Sequence, residues 1–243
     1  MIIAEIGLNH LGDIKQARRY VNLLSHSSID AITLQVREKE YYKEKPHLLL
    51  DDVDYINLKH LAQSHGKKLG IALADVSKID YFESIGVDFY KIIRNDITNT
   101  VLTDKLISTN KKIIASTGLS SHSDIKKFLS RYPDNQNITL NHTQLSYDIN
   151  DCNLSAIASL KENFNINVSY GSHCKNYNTL YMALCYKPSD ILFYVKETNS
   201  KKYPDDKHAI LIYNVPVLSK NLKELTIAIG DGVKGKFENK IDR

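Results

Sequence analysis

Residues able to do chemistry recur where apolar runs end. In AEIGLNHLGD, residues 4–13, a hydrophobic run that begins at Met1 leads into Glu5, then Gly7, Asn9, His10, Gly12 and Asp13. A strand that ends in an acid, a glycine and an Asn-His pair is unusual if it only fills a core. Later runs end in Gln35 and Arg37, in Asp75, and in Lys91 with Arg94 and Asp96. Others end in Ser116-Thr117-Gly118, Asn141-His142, Tyr170 with His173, and Lys196-Glu197. One polar residue at a strand end is ordinarily a cap or a solvated loop residue. Carboxylates, cations, hydroxyls and imidazoles converging at one place argue for a site. Lys91, inside an apolar strand, could form a Schiff base if desolvation frees its amine. Cys174 follows His173, but adjacency alone does not build a thiol nucleophile.

The elements that must position these residues alternate along the chain. Strands are expected over 2–7, 30–36, 68–73, 88–93, 111–117, 137–143, 166–173 and 190–196. Helices are expected over 13–26, 52–66, 76–85, 121–132, 153–164, 176–186 and 217–228, with a short one between the fourth and fifth strands. The helix over 52–66 stops at a glycine, and the one opening SHSD carries a Ser/Asp cap pattern. Apolar strands alternating with amphipathic helices imply a parallel sheet. Eight such units in one domain of 243 residues fit a (β/α)8 TIM barrel, α/β in class. A doubly wound sheet is the alternative, but no G-x-G-x-x-G follows the first strand. In a barrel the strand-end residues meet at the C-terminal face. The longest irregular stretches, 37–51 and 197–210, would be loops, the second closing over that face.

Composition narrows the classes. Net charge is +4, with lysines spread along the chain, which gives no footprint for nucleic acid. No apolar run approaches a membrane span of roughly 18 residues. Met1 leads straight into a strand, so no signal-peptide pattern opens the chain. Cys152, Cys174 and Cys185 have no C-x-x-C spacing and suit free thiols in a reducing cytoplasm.

Several motifs together resemble the sialic acid synthase (N-acetylneuraminate synthase) family of PEP-dependent condensing enzymes. AEIGLNHLGD is similar to the family's E-I-G-x-N-H-x-G opening, and YFESIGVDFYKIIRNDITN to its F-x-E-x-x-G-x-x-x-x-K-I segment with the D-x-T-N that follows. IIASTGLSS resembles its S-T-G-M-S turn, DCNLSAIASLKENF with VSYGSHC the stretch leading to G-Y-S-D-H, and IGDGVKG the end of its barrel. The resemblance implies condensation of phosphoenolpyruvate with the aldehyde of an acylated amino-sugar. The product would be a nonulosonic-type acid for surface carbohydrate. It also implies a divalent ion, manganese or magnesium. Glu5 would be the acid/base or water-positioning carboxylate. Lys91 would hold the PEP anion, Ser116 would lie near phosphate, and Gln35 and Asp96 near sugar. Asn9, His10, Arg37, Arg94 and Gln144 complete the substrate-binding candidates, and Asp206 falls near the family's sugar-binding aspartate. His173 would ligate the metal.

The chain also departs from the family pattern. Thr33 stands where a PEP-binding lysine belongs, Ala72 for a phosphate-binding threonine, and Arg94 for a small serine. Gly171 replaces a binding serine, the sixth strand reads NHTQ, and Val195 takes the place of the second metal histidine. One imidazole holds a divalent ion weakly, so His142, on the strand next to that of His173, is the first candidate for a replacement ligand, with His208 the other. Arg94 and Arg37 would restore lost positive charge. The resemblance further implies a barrel without the family's C-terminal antifreeze-like domain, acting as a homodimer or with a separate subunit. The rival functions are a sugar- or anion-binding accessory barrel and a Lys91-dependent aldolase.

Overall fold

The computed structural model describes residues 1–94, 96–133 and 136–234; the side chain of Asp96 also lies outside what is described. Eight parallel strands pair in sequence order, and β1 (Ile2–Gly7) closes on β8 (Ile191–Lys196), so the sheet is a barrel. Between them run β2 (Ala31–Val36), β3 (Lys68–Leu73), β4 (Phe89–Ile92), β5 (Lys112–Ser116), β6 (Ile138–His142) and β7 (Val168–Ser172). Strand alternation divides the side chains. Ile3, Ala31, Phe89, Ile114 and Leu192 pack together as one cluster inside the barrel. Their sequence neighbours Ala4, Ile32, Tyr90, Ile113, Ala115 and Phe193 belong to the larger core between strands and helices. Above the interior cluster the inward positions turn polar: Glu5 and Thr33, then Lys91, Asn141 and Ser169, all buried.

The helices start where the sequence supplies caps. Asp13 accepts from the Lys15 amide to open α1 (Ile14–Ser25), and Ser121 with Asp124 forms a capping box for α6 (His122–Arg131). Pro216 sits in the first turn of α9 (Val215–Ile229), where a missing N–H costs nothing. The remaining helices are α3 (Asp52–Ser64), α4 (Ile79–Ser84), α5 (Thr100–Ile107), α7 (Ala156–Phe164) and α8 (Asn178–Ala183). Two expected loops hold short elements. KEYYKE forms α2 (Lys39–Glu44), anchored by buried Tyr42, and Ile210–Leu211 forms β9, which pairs with the end of β8. That pairing folds the 197–210 loop back over the barrel mouth. Residues 235–243 of the expected single domain lie outside the described residues. Among the described residues, no helix is long and apolar enough to cross a membrane.

Candidate active site

A cavity of about 290 Å³ opens at the C-terminal ends of the strands. Gln35 lines it from β2, Lys91 from β4, Ser116 from β5 and Tyr194 from β8. Ile93 and Arg94 follow β4, Leu119 follows β5, Leu145 and Tyr147 follow β6, and His173 follows β7. The loop after β8 contributes Pro204, Asp205 and His208.

Glu5 lies beneath Lys91, and both its oxygens accept from the Lys91 ammonium, at 2.5 and 2.7 Å. The two side chains are 2% and 4% exposed, so the pair is removed from water. The Lys91 nitrogen stands 5.5 Å from the centre of the Tyr194 ring. Burial and the neighbouring Glu5 charge push the Tyr194 phenol well above its usual range, which keeps it a neutral donor. Gly7 completes this corner. Its φ is +57°, and a Cβ there would stand 2.8 Å from the Tyr194 ring and 3.0 Å from an Asp205 carboxylate oxygen, so a side chain has no room.

Asp205 is the carboxylate the sequence reading missed. It lines the cavity and is half-buried, with a carboxylate oxygen beside Gly7. Burial, then the charge of Glu5, push it up to about 7, against the opposing pull of Lys91 and Arg94. Asp206, the expected residue, points elsewhere, because its carboxylate pairs with Lys196 at 2.7 Å. Asn9 decides between them: its side-chain oxygen accepts from the Asp205 amide at 3.1 Å, and its side-chain nitrogen donates to the Val195 carbonyl at 2.8 Å. Asn9 therefore fastens the loop to the barrel and stands behind the cavity wall. His10 is wholly buried, and its Nδ1 accepts from the Gly12 amide at 3.0 Å.

Other expected residues separate the same way. Arg37 reaches sideways to Glu38 at 2.9 Å and over the Tyr41 ring at 4.5 Å, and Gln144 is exposed beside the mouth; neither lines the cavity. Asp75 caps the next turn through the Ser77 amide. Lys196 is held by Asp206, and Glu197 pairs with Arg19 at 2.7 Å. Asp96 lies outside the described side chains. Ala72 joins Ala74 and Ile93 in an apolar cluster, so this quarter of the mouth carries no hydroxyl. At Gly171 a Cβ would stand 2.6 Å from the Asn141 amide, so Asn141 occupies the space a serine would need.

His142 is a correction. It shares the helix-facing side of β6 with Ile138 and Leu140, donates from Nε2 to the Cys152 carbonyl at 3.0 Å, and stacks on Tyr170. It cannot reach the cavity, because neighbouring strand residues point to opposite faces. His208 takes the place beside His173, with ring centroids 4.5 Å apart. The Nδ1 of His173 meets the Thr143 hydroxyl at 2.9 Å, whereas both nitrogens of His208 are buried without a partner. Orphaned imidazole nitrogens beside a second imidazole fit a divalent ion as nitrogen donors. No group of three or more His, Cys, Asp or Glu suited to a metal occurs among the described residues, so water and substrate oxygens would fill the other positions.

Buried histidines set the acid sensitivity. Burial first, with nearby cations, pushes His173 down to about 2 and His208 to about 4; burial pushes His10 to about 4 and lowers His142. Between about pH 4 and 6.5 these groups bind protons in the unfolded chain and not in the native one, so their linkage makes stability rise with pH. Asp205 acts in the opposite sense, but with one proton against several. The metal-free protein is therefore expected to lose melting temperature steadily from pH 7 to pH 5. A midpoint flat across that range in thermal scans with chelator would refute this.

Comparisons with known proteins bear on the fold and the family. The chain is 28% identical to the N,N'-diacetyllegionaminic acid synthase of Campylobacter jejuni, over 96% of this chain and 78% of that one. It is 25% identical to the pseudaminic acid synthase of Helicobacter pylori, over 95% and 75%. The solved sialic acid synthetase of Leptospira borgpetersenii, in complex with citrate, superposes with a TM-score of 0.90 at 24% identity, covering 97% of this chain and 87% of that one. At that identity the superposition speaks for the barrel alone. The NeuB family's sequence pattern matches residues 11–234, and the chain belongs to the NeuB family.

Proposed function

We propose that this protein condenses phosphoenolpyruvate with the aldehyde of an acylated amino-sugar to give a nonulosonic acid. The observation that carries this reading is the Glu5–Lys91 pair at the cavity floor, with Arg94 and Ser116 on one side and His173, His208 and Asp205 on the other. Such a cavity offers an anion end and a proton-donating end. Glu5 holds Lys91 in place, and Lys91 and Arg94 face the donor's carboxylate and phosphate. The nucleophilic carbon of the donor attacks the aldehyde carbon, and the carbonyl oxygen gathers charge. Asp205, protonated near neutral pH, supplies the proton that this oxygen takes up. Water then adds to the former enol carbon, and phosphate leaves from it. His173 and His208 would hold a divalent ion, and the chemistry it would supply there is Lewis-acid polarisation of the aldehyde oxygen.

Lys91 is gripped by two carboxylate oxygens, which favours an electrostatic role over imine formation. Borohydride with a keto acid should leave its mass unchanged. The main test is turnover: purified protein with manganese, phosphoenolpyruvate and N-acetylated hexosamines, read by phosphate release and product mass. Absence of both across an acceptor panel would defeat the reading.

Arg94 supplies a second prediction. It stands at the mouth with φ +48° and, among the described residues, no carboxylate forms an ion pair with it, whereas Lys91 is committed to Glu5. Losing one charge-assisted contact costs about 1.5–3 kcal/mol, roughly ten- to a hundredfold in affinity. Arg94→Ser should weaken donor binding by that factor in calorimetry and leave the aldehyde substrate unaffected. If the serine variant instead gains phosphoenolpyruvate binding that the wild type lacks, Arg94 is a plug and the accessory-barrel reading replaces this one.

A further inference from the structure

The turn that follows β5 holds a leucine in a conformation that its own packing does not repay. The Ser120 amide bonds to the Thr117 carbonyl at 3.0 Å, so Thr117 to Ser120 form a four-residue turn with Leu119 at its third position. The φ of Leu119 is +64°. Glycine or asparagine is the usual occupant there, and a leucine is strained. A second leucine with positive φ, Leu11, shows how such strain is ordinarily offset: it packs against the buried cluster of Leu8, Tyr42 and Leu48. Among the described residues, Leu119 joins no such cluster. It is 71% exposed and lies on the cavity lip. Two more part-exposed apolar side chains line the same cavity, Leu145 at 37% and Tyr147 at 38%. Gly118 places the turn close to Leu145, since a Cβ on it would stand 3.2 Å from Leu145 Cγ.

A strained, exposed leucine beside two other part-exposed apolar side chains on the lip of a cavity implies a ligand that covers it. We infer that Leu119, with Leu145 and Tyr147, forms an apolar subsite for the alkyl end of the acyl group on the amino-sugar, which makes Leu119 a specificity-determining residue. This rests on the acceptor class proposed above. The polar remainder of such a sugar is left for Gln35, Asp205 and the histidines.

The test is calorimetry with a series of hexosamines bearing N-formyl, N-acetyl and N-propanoyl groups. It compares wild type with Leu119→Asn and Leu119→Gly, both of which accept the left-handed backbone. Wild type should gain roughly fourfold in affinity per added carbon, the value of burying one methylene. Both variants should melt no lower than wild type, and their series should flatten to less than about twofold per step. An unchanged series, or variants that melt lower because Leu119 is a packing residue, would overturn the subsite and leave the functional reading intact. If wild type binds none of these sugars, the functional reading falls and the subsite falls with it.

Discussion

Replacing Lys91 alone by methionine is expected to destabilise the barrel by about 3–5 kcal/mol, the usual cost of leaving one partner of a buried ion pair uncompensated. For a domain of this size that lowers the melting temperature by roughly 6–20 °C. The mechanism is specific to this cavity floor. Glu5 is 1% exposed, and its two oxygens accept from Lys91. Asp205 already feels its charge. Without the ammonium, one carboxylate must take up a proton or drag water into the barrel. The double replacement Glu5→Leu with Lys91→Met removes both charges and should recover most of the stability while abolishing turnover. Thermal unfolding of the single and double variants decides. A Lys91→Met protein as stable as wild type would mean the pair is solvated and the cavity floor open.

The barrel was legible because its strands are near-continuous apolar runs and its helices carry caps, two signals that need no tertiary knowledge. The inward-pointing residues of the candidate site were legible for the same reason. Glu5, Lys91 and Ser116 interrupt apolar strands, and Gln35 and His173 lie at strand ends. His142 was misplaced although the parity was readable. In ITLNH the apolar Ile138 and Leu140 claim the helix side, and His142 must follow them. Asp205 was missed for another reason. In YPDDKHA two aspartates adjoin in a loop without periodicity. Which one enters the cavity is decided by contacts far off in sequence: Asn9 on the Asp205 amide and Lys196 on the Asp206 carboxylate. His208, Tyr147 and Leu119 likewise reach the cavity through loop conformations, which composition and alternation do not encode. Of these, His208 was named beforehand only as the second choice of replacement ligand, and Tyr147 and Leu119 were not named.

Asp205→Asn is expected to lower kcat by about 10²–10⁴, the range for a lost general acid, and to change two pH profiles in opposite ways. Asp205 titrates at about 7 in the native protein against 3.8 for an ordinary aspartate. As an acid it is competent below that value, so wild-type kcat should fall as pH rises through 7, and the asparagine variant should lose that limb. Stability follows the proton inventory. Between about pH 4 and 7 the native state holds a proton that the unfolded chain has released, so this group's contribution to stability declines as pH rises across that window and is fully lost above it. Asparagine stays neutral throughout. The variant should therefore match wild type near pH 4 and melt progressively higher than wild type up to pH 8, even as its activity collapses. A merely structural aspartate would give the same stability gain but would leave the alkaline limb of kcat in place. If the variant is less stable at pH 8, or if its kcat keeps the same alkaline limb, the proton resides elsewhere and Tyr194, the other buried donor beside Glu5, becomes the acid to test.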